Sequence, residues 1–331
     1  MASNTTNKEQ LNMKPILITA FTFFLSLISV ANSYNEPWHE AILKKSESFV
    51  LLKINSIDEN NGVKATLIKI IAGKEIPQEI TIDNFFMIDT TSYSYEPFLF
   101  RLPDMDTAYF FLIKGENNNY QMPTPTSGFA WRRGNGISST YRISMHKAFA
   151  SVQDYEKTMA ELFNFNHGID IDKEFIKNYA KQYLSQKPGD PTSSDEKIRN
   201  LFFNQHIALE SLYYIADSSD FELIIPFIRS TQIHNQIGAI RALSAINTKK
   251  SKDELIIFLK AETNYDLSKV MAVWALKRLN ARDCIKELKK IQKNASTKPV
   301  SYGLDIMDIR IGTHIDSDVK SSILNLINNL K

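Results

Sequence analysis

Apolar positions between residues 219 and 279 fall at helical spacing, and the same arrangement then returns. Ile224 and Phe227 are answered by Ile256 and Leu259, and again by Leu288 and Ile291, thirty-two residues on each time. A second set repeats beside the first. Ala239, Ala242 and Leu243 recur as Ala272, Ala275 and Leu276, and more weakly upstream as Ala208, Ser211 and Leu212. A period of this length, with two helix-length patterns in each unit, predicts an α-solenoid whose units bury their apolar faces only by stacking on one another. Arrays of this kind offer an extended surface to other macromolecules, so binding is the expected role.

Toward the N-terminus the period shortens. Residues 49–57 are apolar and β-prone, 58–62 form a turn cluster with an Asn-Gly pair, and 63–71 return, which predicts a hairpin. Residues 79–83 and 108–113 are further strand candidates, and 120–122 and 140–144 are shorter ones; a short helix is expected before them, over 36–45. Strands separated by turns, with no helix long enough for a parallel crossover among them, predict a small antiparallel barrel or sandwich.

From Ser151 the pattern is helical. Residues 152–163 and 173–184 read as amphipathic helices, and Lys187-Pro188-Gly189-Asp190-Pro191 is a breaker cluster expected to be a linker or exposed loop. Asp195 is placed to cap the next helix. Residues 294–317 interrupt the last unit before an amphipathic helix with Val319, Ile323, Leu326, Ile327 and Leu330 on one face. That interruption is read either as an atypical terminal repeat closing the core or as a binding loop.

The segments 238–246 (Gly-Ala-Ile-Arg-Ala-Leu-Ser-Ala-Ile) and 271–279 (Met-Ala-Val-Trp-Ala-Leu-Lys-Arg-Leu) resemble the second helix of HEAT repeats, which is Ala-rich and ends in Ala-Leu. The family's basic residue at the start of that helix is Lys269 in one unit and Gln236 in the other, and its acidic turn residue is Asp266 in one and His234 in the other. These departures weaken the inter-repeat Asp to Arg ladder that the resemblance implies. In the first half, 49–57, 65–74, Glu79-Ile80-Thr81-Ile82 and 107–112 resemble the strands of netrin-like, tissue-inhibitor-of-metalloproteinase-like domains. That resemblance covers about residues 37–145 and implies an OB-like barrel. The zinc-chelating N-terminal cysteine of the animal inhibitors has no counterpart here, so their mode of inhibition is not carried over. The expected fold is therefore multidomain β plus α: a small antiparallel OB-like β-barrel followed by a short HEAT-like α-solenoid.

Composition narrows the setting. The 331 residues exceed what one compact core needs, and 43% apolar with 23% charged residues is ordinary for globular domains. A formal net charge of +2 argues against a nucleic-acid partner. Lys14 followed by an apolar run over 15–30 and by Ala31-Asn32-Ser33 reads as an export signal cleaved before Tyr34. No integral membrane segment is then expected in the mature chain. The single cysteine, Cys284, makes no intramolecular disulfide, and none ends the apolar run to carry a lipid anchor. The expected divisions are a signal peptide (1–33), the barrel domain (34–150), a helical connector and linker (151–194) and the helical repeats (195–331).

Candidate chemistry is sparse. His39, His146, His167, His206, His234 and His314 show no metal-ligand spacing, and neither a Gly-x-Ser-x-Gly elbow nor a Gly-rich phosphate loop is present. No catalytic, cofactor or metal residue is expected. Two aromatic stretches are candidates for partner binding: 85–100, with Phe86, Tyr93 and Tyr95, and 129–136, with Trp131, Arg132 and Arg133. Each has an alternative in packing, the rings closing the barrel and the arginines solvated beside it. The expectation is an exported, non-catalytic protein–protein interaction protein of a bacterial envelope. An inhibitor or regulator of an extracellular hydrolase is the alternative, and an enzyme with a site at the domain junction is a third.

Overall fold

The computed structural model describes residues 40–58, 62–83, 107–116, 119–123, 128–138, 151–302 and 315–331. The export signal, the strand expected over 140–144 and the aromatic stretch 85–100 lie outside these residues.

A short helix, α1 (Glu40–Lys45), precedes the strands β1 (Ser48–Asp58), β2 (Gly62–Gly73), β3 (Glu79–Asp83), β4 (Thr107–Lys114) and β5 (Tyr120–Gln121). β1 and β2 form the predicted hairpin, with Asp58 opposite Gly62. Gly62 has φ +77°, and a Cβ there would lie 2.3 Å from the Ile82 carbonyl oxygen. Only glycine fits. β2 continues to β3, β3 pairs in parallel with β5, β5 pairs with β4, and β4 returns to β1. The five strands thus close into a barrel in the order β1-β2-β3-β5-β4, which fits the OB-like expectation.

The aromatic stretch 129–136, expected as a partner-binding candidate, falls in a hairpin of β6 (Phe129–Arg133) and β7 (Gly136–Ser138) added to β4. Its pairing is tertiary: Phe129 lies opposite Phe110, and Trp131 opposite Ala108. The local pattern, broken by two glycines, carries no trace of those partners.

β1 and β4 are buried on both faces, which explains why they read as unbroken apolar runs. Val50, Leu52, Ile54, Ala108, Phe110 and Leu112 fill the barrel. The alternate residues Phe49, Leu51, Tyr109 and Phe111 point out of it into a second core with Ile42 and Leu43 of α1 and with Tyr155, Met159 and Phe163. There the Phe49 and Phe111 rings stack at 4.3 Å, and the Tyr109 hydroxyl donates to Glu156 Oε1 at 2.8 Å.

Nine helices follow among the described residues: α2 (Val152–Asn166), α3 (Lys173–Leu184), α4 (Glu196–Ile215), α5 (Phe221–Ile228), α6 (Ile233–Leu243), α7 (Lys249–Lys260), α8 (Asp266–Arg278), α9 (Ile285–Asn294) and α10 (Val319–Leu330). Side chains of Ser151, Asp172, Asp195, Thr248 and Asp318 cap five of them by accepting from backbone N–H groups one turn in. α4, α6, α8 and α10 pack in succession, and α3, α5, α7 and α9 each flank the next member of that row. The repeating positions explain this. Ala208, Ala239, Ala242, Ala272 and Ala275 are buried along the row and let its helices approach, while Ile224, Phe227, Ile256, Leu259 and Leu288 are buried on the flanking helices.

The breaker cluster before α4 turns sharply but is held in place. Gly189 is buried, its N–H donates to Gln205 Oε1 at 2.7 Å, and its carbonyl accepts from Asn235 Nδ2 at 3.1 Å. Ile176, Tyr179, Ala180 and Leu184 of α3 belong to the same core as α4 and α6. The interruption after α9 includes a two-stranded ribbon, β8 (Val300–Tyr302) with β9 (Ile315–Ser317), and β8 packs against α8.

Candidate functional site

The residues singled out in the sequence do not converge. Trp131 is 3% exposed in the barrel core, its ring edge-on to Phe129 at 6.0 Å. Arg132 is exposed beside it and its Nε donates to the Gly134 carbonyl at 3.4 Å, while Arg133 pairs with Gly136 at the hairpin end. For Trp131 this is the packing alternative. Phe86, Tyr93 and Tyr95 lie outside the described residues.

A groove opens elsewhere, between the last two helices of the packed row. It encloses about 480 Å³, a size suited to several residues of a bound chain or to a small molecule. α8 contributes Val273, Trp274 and Lys277, and α10 contributes Ser322, Asn325, Leu326, Asn328 and Asn329. Ser317, the last residue of the ribbon, borders it, and its hydroxyl lies 2.5 Å from that of Ser322. The local sequence explains the geometry. Val319, Ile323, Leu326, Ile327 and Leu330 are buried on one side of α10, so Asn325, Asn328 and Asn329, out of phase with that stripe, are left toward solvent beside α8. Asp318, whose side chain accepts from the Ser321 N–H at 2.7 Å, fixes the start of the helix, and those bonds hold its carboxyl below the usual carboxylate range.

Among the described residues Lys277 is the only ionisable side chain in the lining, and it is exposed and forms no ion pair. Arg278 follows it. The Arg278 guanidinium lies 3.8 Å from the centre of the Tyr213 ring, and its Nη1 donates to the Tyr213 carbonyl and to Ser244 Oγ. The opposing partner of that ring is Arg241, 4.2 Å from its centre and paired with Glu210 through Nε at 2.9 Å and 3.0 Å. Glu210 and Arg241 are nearly fully buried, so each holds the other's charge inside the row. The result ties α4, α6 and α8 together at their C-terminal ends, with Arg278 turned to Tyr213 and Lys277 left exposed at the groove.

His206 is fully buried on α4, with Phe202 and His234 around it; burial, then His234 and Arg241, hold its pKa well below the ordinary value. Cys284 is buried, and burial pushes its thiol up, away from the reactive thiolate. Among the described residues no group of three His, Cys, Asp or Glu side chains is gathered to hold a metal ion, and no helix is long and apolar enough to cross a membrane.

The groove was not legible in the sequence. Its two walls lie some fifty residues apart, and only the asparagines out of phase with the α10 stripe hinted at a polar face there. No protein-family model matches the chain, and no curated protein or solved structure matches it.

Proposed function

We propose that this is an exported, non-catalytic binding protein of a bacterial envelope, with a netrin-like barrel and a short HEAT-like solenoid, and that it holds a protein partner in the groove between α8 and α10. The observation that carries the reading is the groove itself. It lies on the row of helices that repeats in sequence, where an α-solenoid presents its binding face. Its lining mixes an indole, two aliphatic side chains and three carboxamides, a combination suited to a polypeptide surface. The ribbon that borders it belongs to the interruption of the last unit, and insertions in such arrays gather on the binding side.

Affinity capture from envelope extract tests this with the full chain and with Asn325→Tyr, which fills the groove from an exposed position. A specific protein recovered by the first and lost with the second is the expected outcome; equal recovery by both removes the groove from the function. The alternative, regulation of a hydrolase through the barrel, draws on the exposed Arg132 at the β6–β7 hairpin. It predicts that Arg132→Glu, and not Asn325→Tyr, abolishes recovery. An intact signal sequence on the mature protein, read by N-terminal sequencing, would sink the export reading.

A further inference from the structure

We propose that the α8–α10 groove takes an extended stretch of polypeptide carrying an acidic side chain, its carboxylate at Lys277 and its main chain along the carboxamides of α10. The assignment rests on the reading of the groove as a protein-binding site and names what that site recognises.

Three observations converge. The first is spacing: Asn325 and Asn329 are one helical turn apart, about 6 Å along α10, and the two-residue repeat of an extended chain is about 6.6 Å. A carboxamide offers a donor and an acceptor together, as a peptide group does. Each asparagine can therefore meet every second peptide group on one side of the ligand. The second is the apolar wall. Trp274, part-buried, borders the same groove with the nearly buried Val273 and Leu326 behind it, and its indole gives an alternate side chain of the ligand a place out of water.

The third is charge. Lys277 borders the groove, is exposed and is unpaired among the described residues. Among the described residues no carboxylate lines the groove, and Asp318, which precedes α10, is committed to capping that helix. A cationic ligand would be repelled by Lys277 with no described carboxylate to offset it, whereas an anionic one gains a charge-assisted hydrogen bond. An oligosaccharide is favoured less, because its many hydroxyl donors are best met by carboxylate acceptors, which the described lining lacks.

The test selects displayed random nonapeptides on the immobilised full chain, in parallel on the wild type and on Lys277→Glu. Lys277 is exposed, so the variant keeps the fold; circular dichroism verifies that. The peptides enriched on the wild type alone are expected to carry Asp or Glu. A labelled synthetic copy should bind at least about tenfold more weakly to Lys277→Glu, and more weakly to the wild type as salt is raised. Asn325→Ala and Asn329→Ala should weaken that peptide and its Glu→Gln analogue by the same factor, since main-chain contacts are blind to side-chain charge. Enriched peptides without acidic bias that still need Asn325 would overturn the acidic assignment and leave protein binding in place. Failure to enrich any peptide, or tighter Lys277-dependent binding of tetragalacturonate, would overturn the polypeptide assignment itself.

Discussion

Gly189 shows how much of the helical half rests on single positions. A Cβ there would lie 2.7 Å from the Phe202 backbone nitrogen and 2.9 Å from the Ile198 carbonyl oxygen, both fixed in α4. Neither is the far end of a flexible side chain, so Gly189→Ala must push the loop off the helix and stretch its bonds to Gln205 and Asn235. The expected loss is about 1–3 kcal/mol of stability, measured by urea denaturation, whereas Gly134→Ala, where a Cβ would meet nothing within 4 Å, should cost less despite its positive φ. The sequence reads Gly189 as part of a Pro-Gly-Asp-Pro breaker expected to be a linker or exposed loop; the break between helices is there, and Gly189 is buried in it. What it does not carry is the burial, because the partners are a glutamine sixteen residues on and an asparagine forty-six residues on. Trp131 is the converse case: an aromatic beside two arginines reads as a recognition loop, and the cross-strand partner that buries it is Ala108, more than twenty residues away.

Helices are the scale at which the sequence spoke most plainly. The thirty-two-residue recurrence falls on α5, α7 and α9, and the alanine set on α4, α6 and α8, because burial against the neighbouring unit imposes the same small or branched residue each time. The polar contacts between units are less regular. Gln236 of α6 donates to the Ser230 carbonyl and to Asn264 Oδ1, a carboxamide link between neighbouring units. The α4–α6 contact also carries a titratable weak point. His206 is buried with its pKa well below 6.5, and His234, largely buried, is lowered too. Both therefore remain neutral in the fold while the unfolded chain begins to bind protons near pH 6.5. Their contribution is fully present above about pH 6.5 and declines as pH falls below it. The melting temperature should drop between pH 7 and pH 5, a window above that of carboxylates such as Glu287, which its lysine partners hold down at about 2. His206→Leu should flatten the drop; an unchanged slope would remove the α4–α6 histidines as its cause.

At the scale of the whole chain, the boundary expected at residue 150 marks a change of secondary structure, and the hydrophobic core runs across it. The outward residues of β1 and β4 share their core with α2, and α2 in turn contacts α4. Tyr155 is the hinge of that arrangement. It is fully buried, its ring lies edge-on to Tyr109 at 5.0 Å and to Phe49 at 6.0 Å, and burial raises its hydroxyl pKa well above the ordinary value. Neighbouring Glu156 reinforces the joint by accepting from Tyr109 and pairing with Lys69 of β2 at 2.5 Å. A junction filled with rings couples barrel and helices energetically, so the described halves should unfold together, in one calorimetric transition. Tyr155→Ala empties the centre of the joint at a cost of about 3–5 kcal/mol and should split that transition in two, the barrel melting apart from the helices. Lys69→Ala removes only the half-exposed ion pair, worth under about 1 kcal/mol, and should leave it single. Two transitions in the wild type would show instead that the shared core is too weak to couple the halves, and would restore the boundary at 150 as an energetic one.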